Sequence, residues 1–218
     1  MVCSRIGINF KKRVNSLKKE VFRKTIHLCT GFVPVLLHFY KTPVIILLLL
    51  ALSAYLLSEF LRFRGINIPL ISQITVKAAR KRDENKIVLG PVTLVLGVVS
   101  ASLLWSETAA AIGIVALALG AGLASLAGKS FGSLPLPFTG GKTVEGSLTC
   151  FTAIFVSCWM ISKNTVVSFI VALTGCFIEC LPLKDFDNLL IPVVLGGLSA
   201  WLLNLPFLFP QINLMQGF

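Results

Sequence analysis

Residues 128–147 read GKSFGSLPLPFTGGKTVEGS. Two lysines, five glycines, several hydroxyls and one glutamate are gathered there, between strongly apolar segments on either side. A chain that keeps such a stretch between apolar runs is read as a bundle of membrane spans joined by a polar loop. Glycine-freed backbone N–H groups and lysine ammoniums are the usual chemistry for gripping phosphate, so the loop is expected to hold something anionic.

Working outward, composition supports that reading. Hydrophobic residues make up 56% of the 218-residue chain, charged residues 13%, and mean hydropathy is +0.88. A soluble domain of this length cannot bury so much apolar surface, which leaves a polytopic membrane protein. The expected fold is all-α: a transmembrane helix bundle of about seven spans, with an amphipathic membrane-surface helix over 1–24 and one catalytic domain over 25–218. In the surface helix Phe10, Val14, Leu17 and Val21 recur at helical spacing, while Lys11, Lys12, Arg13, Lys18 and Lys19 face head groups. The basic N-terminus followed by an apolar run is read as uncleaved, because no small-residue cleavage site follows. The six cysteines form no CxxC pair and are read as small, buried and reduced.

Spans are expected at about 25–40, 43–63, 87–105, 107–127, 147–162, 165–181 and 189–209. Of the 20 lysines and arginines, eight lie in the first 24 residues and seven between Arg62 and Lys86. Two more lie in 128–146 and one in 182–188, all on one side of a seven-span arrangement. Only Lys41 and Lys163 fall on the other. The positive-inside rule then makes the protein multi-pass in an inner or cytoplasmic membrane, with its N-terminus and every polar loop on the cytoplasmic side. The net charge of +11 points to anionic lipid head groups. No nucleic-acid module accompanies it.

Five constellations bear on chemistry. Glu20, Arg23, Lys24 and His27, with Gly31 beyond, share one face of a helix entering the membrane. Ionisable groups in that position are costly unless used. Glu59 with Arg62 reads as a structural i,i+3 pair, and the run KAARKRDENK at 77–86 as a solvated membrane-facing loop. Gly140, Gly141, Lys142 and Thr143 resemble one end of a P-loop without its first glycine. Glu179, Asp185, Asp187 and Asn188 would suit a hard divalent cation bridging phosphates; the alternative is a charged turn capping the last helix. Cations and carboxylates on one side of a bundle are the ingredients of metal-assisted phosphoryl transfer.

At these residues the chain resembles the CTP-dependent lipid kinases: the diacylglycerol, polyprenol, dolichol and phytol kinases. The resemblance rests on E-x-x-R-K-x-x-H-x-x-x-G from Glu20 to Gly31, E-x-x-R at Glu59 to Arg62, GLASLAGKSFG at 122–132, GKTVEGS at 141–147 and DNLLIP at 187–192. It implies an integral membrane enzyme that moves the γ-phosphoryl group of CTP to a lipid alcohol, with Mg²⁺ (or Ca²⁺) as cofactor. Diacylglycerol is the favoured acceptor, since the chain is compact; a polyprenol, dolichol or phytol is the alternative. Arg23, Lys24, Lys129, Gly140, Gly141, Lys142, Thr143, Glu145 and Ser147 would bind the phosphates, and Asp187 and Asn188 the metal. Glu20, Glu59, Arg62, Glu179 and Asp185 would support the site, and the bundle leaves room for a homo-oligomer.

One position departs from the pattern. The family shows G-D where this chain has Gly120–Ala121, so Ala121 stands where an aspartate is expected. Three explanations compete: an Asp-to-Ala variant made to disable the site, an acid supplied by Asp185 or Asp187, or simple small-residue packing. The first is favoured, because everything around position 121 fits. Candidate catalytic positions are therefore 121 itself, His27 and Asp187. The rival readings are a phosphatidate cytidylyltransferase and a non-enzymatic lipid-binding or transport bundle.

Overall fold

The structure, a computed structural model, describes residues 20–64, 87–137 and 139–205. The expected surface helix therefore falls outside the described residues except for its end, as do the basic run 77–86 and the close of the seventh span. The described residues are all-helical, without strands. The helices are α1 (residues 20–30), α2 (Val33–Phe63), α3 (Gly90–Leu104), α4 (Glu107–Phe131), α5 (Val144–Ser162), α6 (Thr165–Cys180) and α7 (Asp187–Leu203).

Three of them, Val33–Arg62, Glu107–Phe131 and Val144–Ser162, are long and apolar enough to cross a bilayer. Helices α3, α6 and α7 are apolar but have 15, 16 and 17 residues, fewer than the roughly 20 a straight span uses.

Helix α2 is two helices end to end. Tyr40 leaves helical geometry (φ −139°, ψ 57°) three residues before Pro43, a residue that lacks an N–H and disfavours the helical conformation before it. His38 meets Glu107 at the start of α4, while Tyr55 and Glu59 both bond Val88 just before α3. Because α3 and α4 form an antiparallel hairpin about Trp105–Ser106, those contacts lie at opposite ends of the bundle. The chain therefore runs up through α1 to His38, reverses at Tyr40 and returns. That matches the two separate spans expected at 25–40 and 43–63.

Local chemistry fixes the remaining ends. Thr143 caps α5 by accepting from the Gly146 N–H (3.3 Å), and Asn164 caps α6 by accepting from Val167 N–H (3.0 Å). Each bond satisfies one of the donors that a helix start leaves unpaired. Between them Lys163 takes the left-handed conformation (φ 55°) that closes α5. Within α4 the segment Ala116–Ala121 widens to π-helix, a distortion often found at functional sites.

Helix α7 packs through backbone. A Cβ on Gly97 of α3 would come within 2.3 Å of the Asn188 carbonyl oxygen, and one on Gly113 of α4 within 2.3 Å of the Pro192 carbonyl oxygen. Only glycine permits that approach, the usual device where helices must associate without a hydrophobic driving force. The main core cluster includes Ile112, Leu117, Ile154, Val171, Ile191 and Leu195, all fully buried.

Candidate functional site

At the bundle end that holds Glu20, the starts of α1, α5 and α7 and the ends of α4 and α6 surround a polar cavity of about 530 Å³. The expected open loop at 128–147 is shorter in the structure. Helix α4 continues to Phe131 and α5 begins at Val144. What remains is a small hairpin: Leu136 N–H donates to Lys142 O (2.8 Å) and Val144 N–H to Leu134 O (3.0 Å). Its turn requires Gly140 (φ 72°) and Gly141 (φ 95°), positions where a side chain would strain the backbone. Glu145 accepts from Ser133 N–H (2.8 Å) and Leu134 N–H (3.3 Å) and so pins the hairpin to α5. It does not line the cavity. Gly140, Gly141, Lys142, Thr143 and Ser147 do.

The α1 face places Glu20, Arg23 and Lys24 on the opposite wall. Buried Glu20 accepts from Ser125 Oγ (2.7 Å), from Lys129 Nζ and from Arg23. Burial alone would raise its pKa, but the two cations and the hydroxyl outweigh that and hold it at about 2. Lys129, expected as a phosphate ligand, is thus already paired with Glu20. Lys24 is buried, which pushes its pKa down to about 8 against the attraction of Glu179, Glu20 and Asp187. Both residues precede the apolar segment that starts at 25. Arg23 has a buried Nε without a hydrogen-bond partner among the described residues.

Across the cavity, Lys142 Nζ lies 3.3 Å from Glu179 Oε1 and donates to the Leu181 carbonyl (3.5 Å). Glu179 is buried, and its Oε2 has no partner among the described residues. Ser147 Oγ lies 3.4 Å from Cys180 Sγ. Asp187, ahead of the apolar part of α7, lines the cavity too; burial and the charge of Glu179 raise its pKa to about 6.

A second, smaller cavity of about 60 Å³ adjoins the first and shares Arg23, Lys24 and Asp187 with it. His27, Asp185 and Asn188 line this one. Asn188 donates from Nδ2 to Thr93 Oγ1 (3.3 Å) and Gly90 O (3.4 Å), tying α7 to the start of α3. Asn188 and Glu179 line different cavities, and no cluster of three or more His, Cys, Asp or Glu suited to a metal occurs among the described residues. The orphaned Glu179 oxygen is the group that best fits a divalent cation, since Mg²⁺ commonly takes one or two carboxylates and completes its shell with phosphates and water.

Three further expected residues, Glu59, Arg62 and Ala121, lie elsewhere. Glu59 accepts from Arg62 (2.7 Å) and from Val88 N–H (3.3 Å), fastening α3 to α2 outside both cavities, as a structural pair should. Ala121 is 1% exposed in the apolar core, three residues before Ala124 and four before Ser125, both of which line the large cavity. It therefore sits one turn deeper on the same helix face. Ser125, Thr139 and Lys184 also line the cavity, though none is among the site residues expected from the sequence. Ser125 meets Glu20 across 105 residues, and Lys184 is a lone lysine whose left-handed backbone (φ 60°) shows only in the fold.

An all-helical membrane-type bundle with cations, glycine backbone and carboxylates around one terminal cavity defines the class. Comparison with known proteins agrees: the chain is similar to plant isoprenoid-alcohol kinases. It is 27% identical over 161 residues to a probable phytol kinase 1, chloroplastic, of Oryza sativa subsp. japonica, covering 64% of this chain and 50% of that protein. It is 28% identical over 146 residues to a chloroplastic farnesol kinase of Arabidopsis thaliana, covering 59% and 48%. A probable chloroplastic phytol kinase of Triticum aestivum is 32% identical over 133 residues, covering 52% and 43%. The chain spans about half the length of the curated relatives it matches. No family model and no solved structure matches it.

Proposed function

We propose that this chain is a lipid kinase that transfers the γ-phosphoryl group of a nucleoside triphosphate to the primary hydroxyl of a membrane isoprenoid alcohol. The names of its relatives favour that acceptor over the diacylglycerol expected from chain size. The observation that carries the reading is the single cavity in which Arg23, Lys24, Lys142, Lys184 and the Gly140–Gly141 backbone confront Glu179 and Asp187. CTP as donor follows from the motif resemblance, and placement of the cavity on the cytoplasmic side from the distribution of lysine and arginine.

In this reading the triphosphate lies between the hairpin and α1. Lys142 and Lys24 hold its charge, and the glycine N–H groups cradle its oxygens. Glu179 is the group that would hold Mg²⁺, which supplies neutralisation of phosphate charge. A lone pair on the alcohol oxygen attacks the γ-phosphorus, the bond to the β–γ bridging oxygen breaks, and the nucleoside diphosphate leaves with that electron pair. Asp187 takes the hydroxyl proton, a role that a carboxylate titrating near 6 can fill. Arg23 and Lys24 stabilise the charge spread over the transferred group.

The test is incubation of purified protein, and of Ala121→Asp beside it, with CTP or ATP labelled at the γ-phosphate and a panel of phytol, farnesol, geranylgeraniol and diacylglycerol. Label in a prenyl monophosphate is the expected product. In a parallel incubation with phosphatidate, lipid labelled only when the α-phosphate carries the isotope would establish a cytidylyltransferase instead. No labelled lipid from either protein would sink the proposal.

A further inference from the structure

We infer that the smaller cavity between α1, the start of α3 and the start of α7 receives the carbinol end of a slender, unbranched-headed alcohol, and that Gly90 is its gate. This inference rests on the kinase reading for its ligand class, and its cavity adjoins the phosphate cavity.

The lining is divided. Ile26, Val88, Pro91 and Leu94 form an apolar side, whereas Lys24, His27, Asp185 and Asp187 form a polar one. Ile26, Ile87 and Leu89 are exposed close to this lining, so the apolar side continues into the outer surface of the helices. Along the other direction Arg23, Lys24 and Asp187 belong to both cavities. A hydroxyl held at the polar side would thus stand beside the phosphates while its carbon tail leaves along Ile26 and Leu94. That is the geometry a bisubstrate site needs: reacting atoms adjacent and the two bodies diverging.

Size then selects among alcohols. The cavity's 60 Å³ is about four to six times the space one water requires. A carbinol carbon and the first atoms of an isoprene unit fit such a volume. The CH2OH end of a 1,2-diacylglycerol, with an ester on the adjoining carbon, is bulkier there, so size favours the prenyl alcohol at this end of the site.

Gly90 sets the width. It lines the cavity as the first residue of α3, and a Cβ built on it meets nothing within 4 Å. Its backbone is not in the left-handed region, so a larger residue is tolerated and adds bulk to a residue of the cavity lining. Gly90→Leu is therefore a plug, with Gly90→Ala as the mild companion.

A geranylgeraniol analogue with a diazirine on its first isoprene unit is photolysed with the whole protein in nanodiscs, and labelled peptides are mapped by mass spectrometry. The expected labels fall within 20–30 and 87–94. Excess geranylgeraniol removes them and dioleoylglycerol does not. Gly90→Leu lowers labelling at least tenfold, Gly90→Ala keeps it, and both retain binding of a fluorescent nucleotide. Labels confined to other helices, equal protection by dioleoylglycerol, or undiminished labelling of Gly90→Leu would each overturn the inference. Prenyl phosphate formation is read separately: correct labelling without any phosphorylated product refutes the kinase reading and leaves the pocket standing.

Discussion

Removing the Lys142 ammonium should have two separable effects, which is what makes Lys142→Met informative. In the structure the ammonium lies 3.3 Å from Glu179 Oε1, and the other oxygen of that buried carboxylate is already unpaired. Deleting it leaves an uncompensated buried charge. Leaving a buried acceptor without its partner costs about 1–3 kcal/mol, and the middle of that range is used because Lys142 is 28% exposed. For a chain of this size that corresponds to a fall in thermal midpoint of about 4–8 °C at about 2 kcal/mol. If Lys142 also grips the transferring phosphate, turnover should fall about 10²–10³-fold, the usual consequence of losing one donor aimed at developing charge. The double variant Lys142→Met/Glu179→Gln separates the two. Neutralising Glu179 removes the stranded charge, so the melting temperature in detergent should recover while γ-phosphate transfer stays low. Recovery of turnover together with stability would show that Lys142 is a structural partner of Glu179 and would remove it from the phosphate site.

Three further outcomes are expected. Lys24 must be charged to hold phosphate and Asp187 ionised to accept a proton, so kcat/KM should rise as pH passes about 6 and fall again above about 8; a profile still rising at high pH would contradict the role of Lys24. Ala121→Asp should increase turnover if that position completes the site, whereas a lower melting temperature with unchanged turnover would mark it as a packing position, since an unpaired carboxylate there enters an apolar core. Glu59→Gln should cost about 1–2 kcal/mol of stability through the weakened Arg62 and Val88 bonds and leave kinetics near normal; loss of activity in a folded variant would place Glu59 in the chemistry.

Periodicity made much of the fold legible. The spacing of Glu20, Arg23, Lys24 and His27 placed those side chains on one face, and the separate spans expected at 25–40 and 43–63 agree with the reversal at Tyr40. Hidden from the sequence were pairings across long separations. Nothing near Lys129 says that Glu20, 109 residues earlier, neutralises it. Nothing in GKTVEGS says that Glu145 turns back to hold Ser133 and Leu134 instead of facing the phosphates. The loop was also overestimated, because Gly128, Ser130, Gly146 and Ser147 occupy the last turn of α4 and the first turn of α5. Glycine counts there as helix packing: a Cβ on Gly128 would stand 3.0 Å from Thr143 Oγ1.

The glycine contacts along α7 carry a consequence beyond packing. Gly113 touches the Pro192 carbonyl, five residues or about 7.5 Å along the axis from Asp187. A single methyl there would have to push α7 outward by about an ångström to reach ordinary van der Waals distance, and a helix passes such a displacement on without absorbing it. Asp187 and the wall between the two cavities would travel with it, and a shift of about 1 Å at a reacting centre can lower a rate about 10²-fold. In the kinase reading, the alignment of the two reactants is therefore set by the thickness of glycine, in the middle of the bundle, at a residue that lines neither cavity.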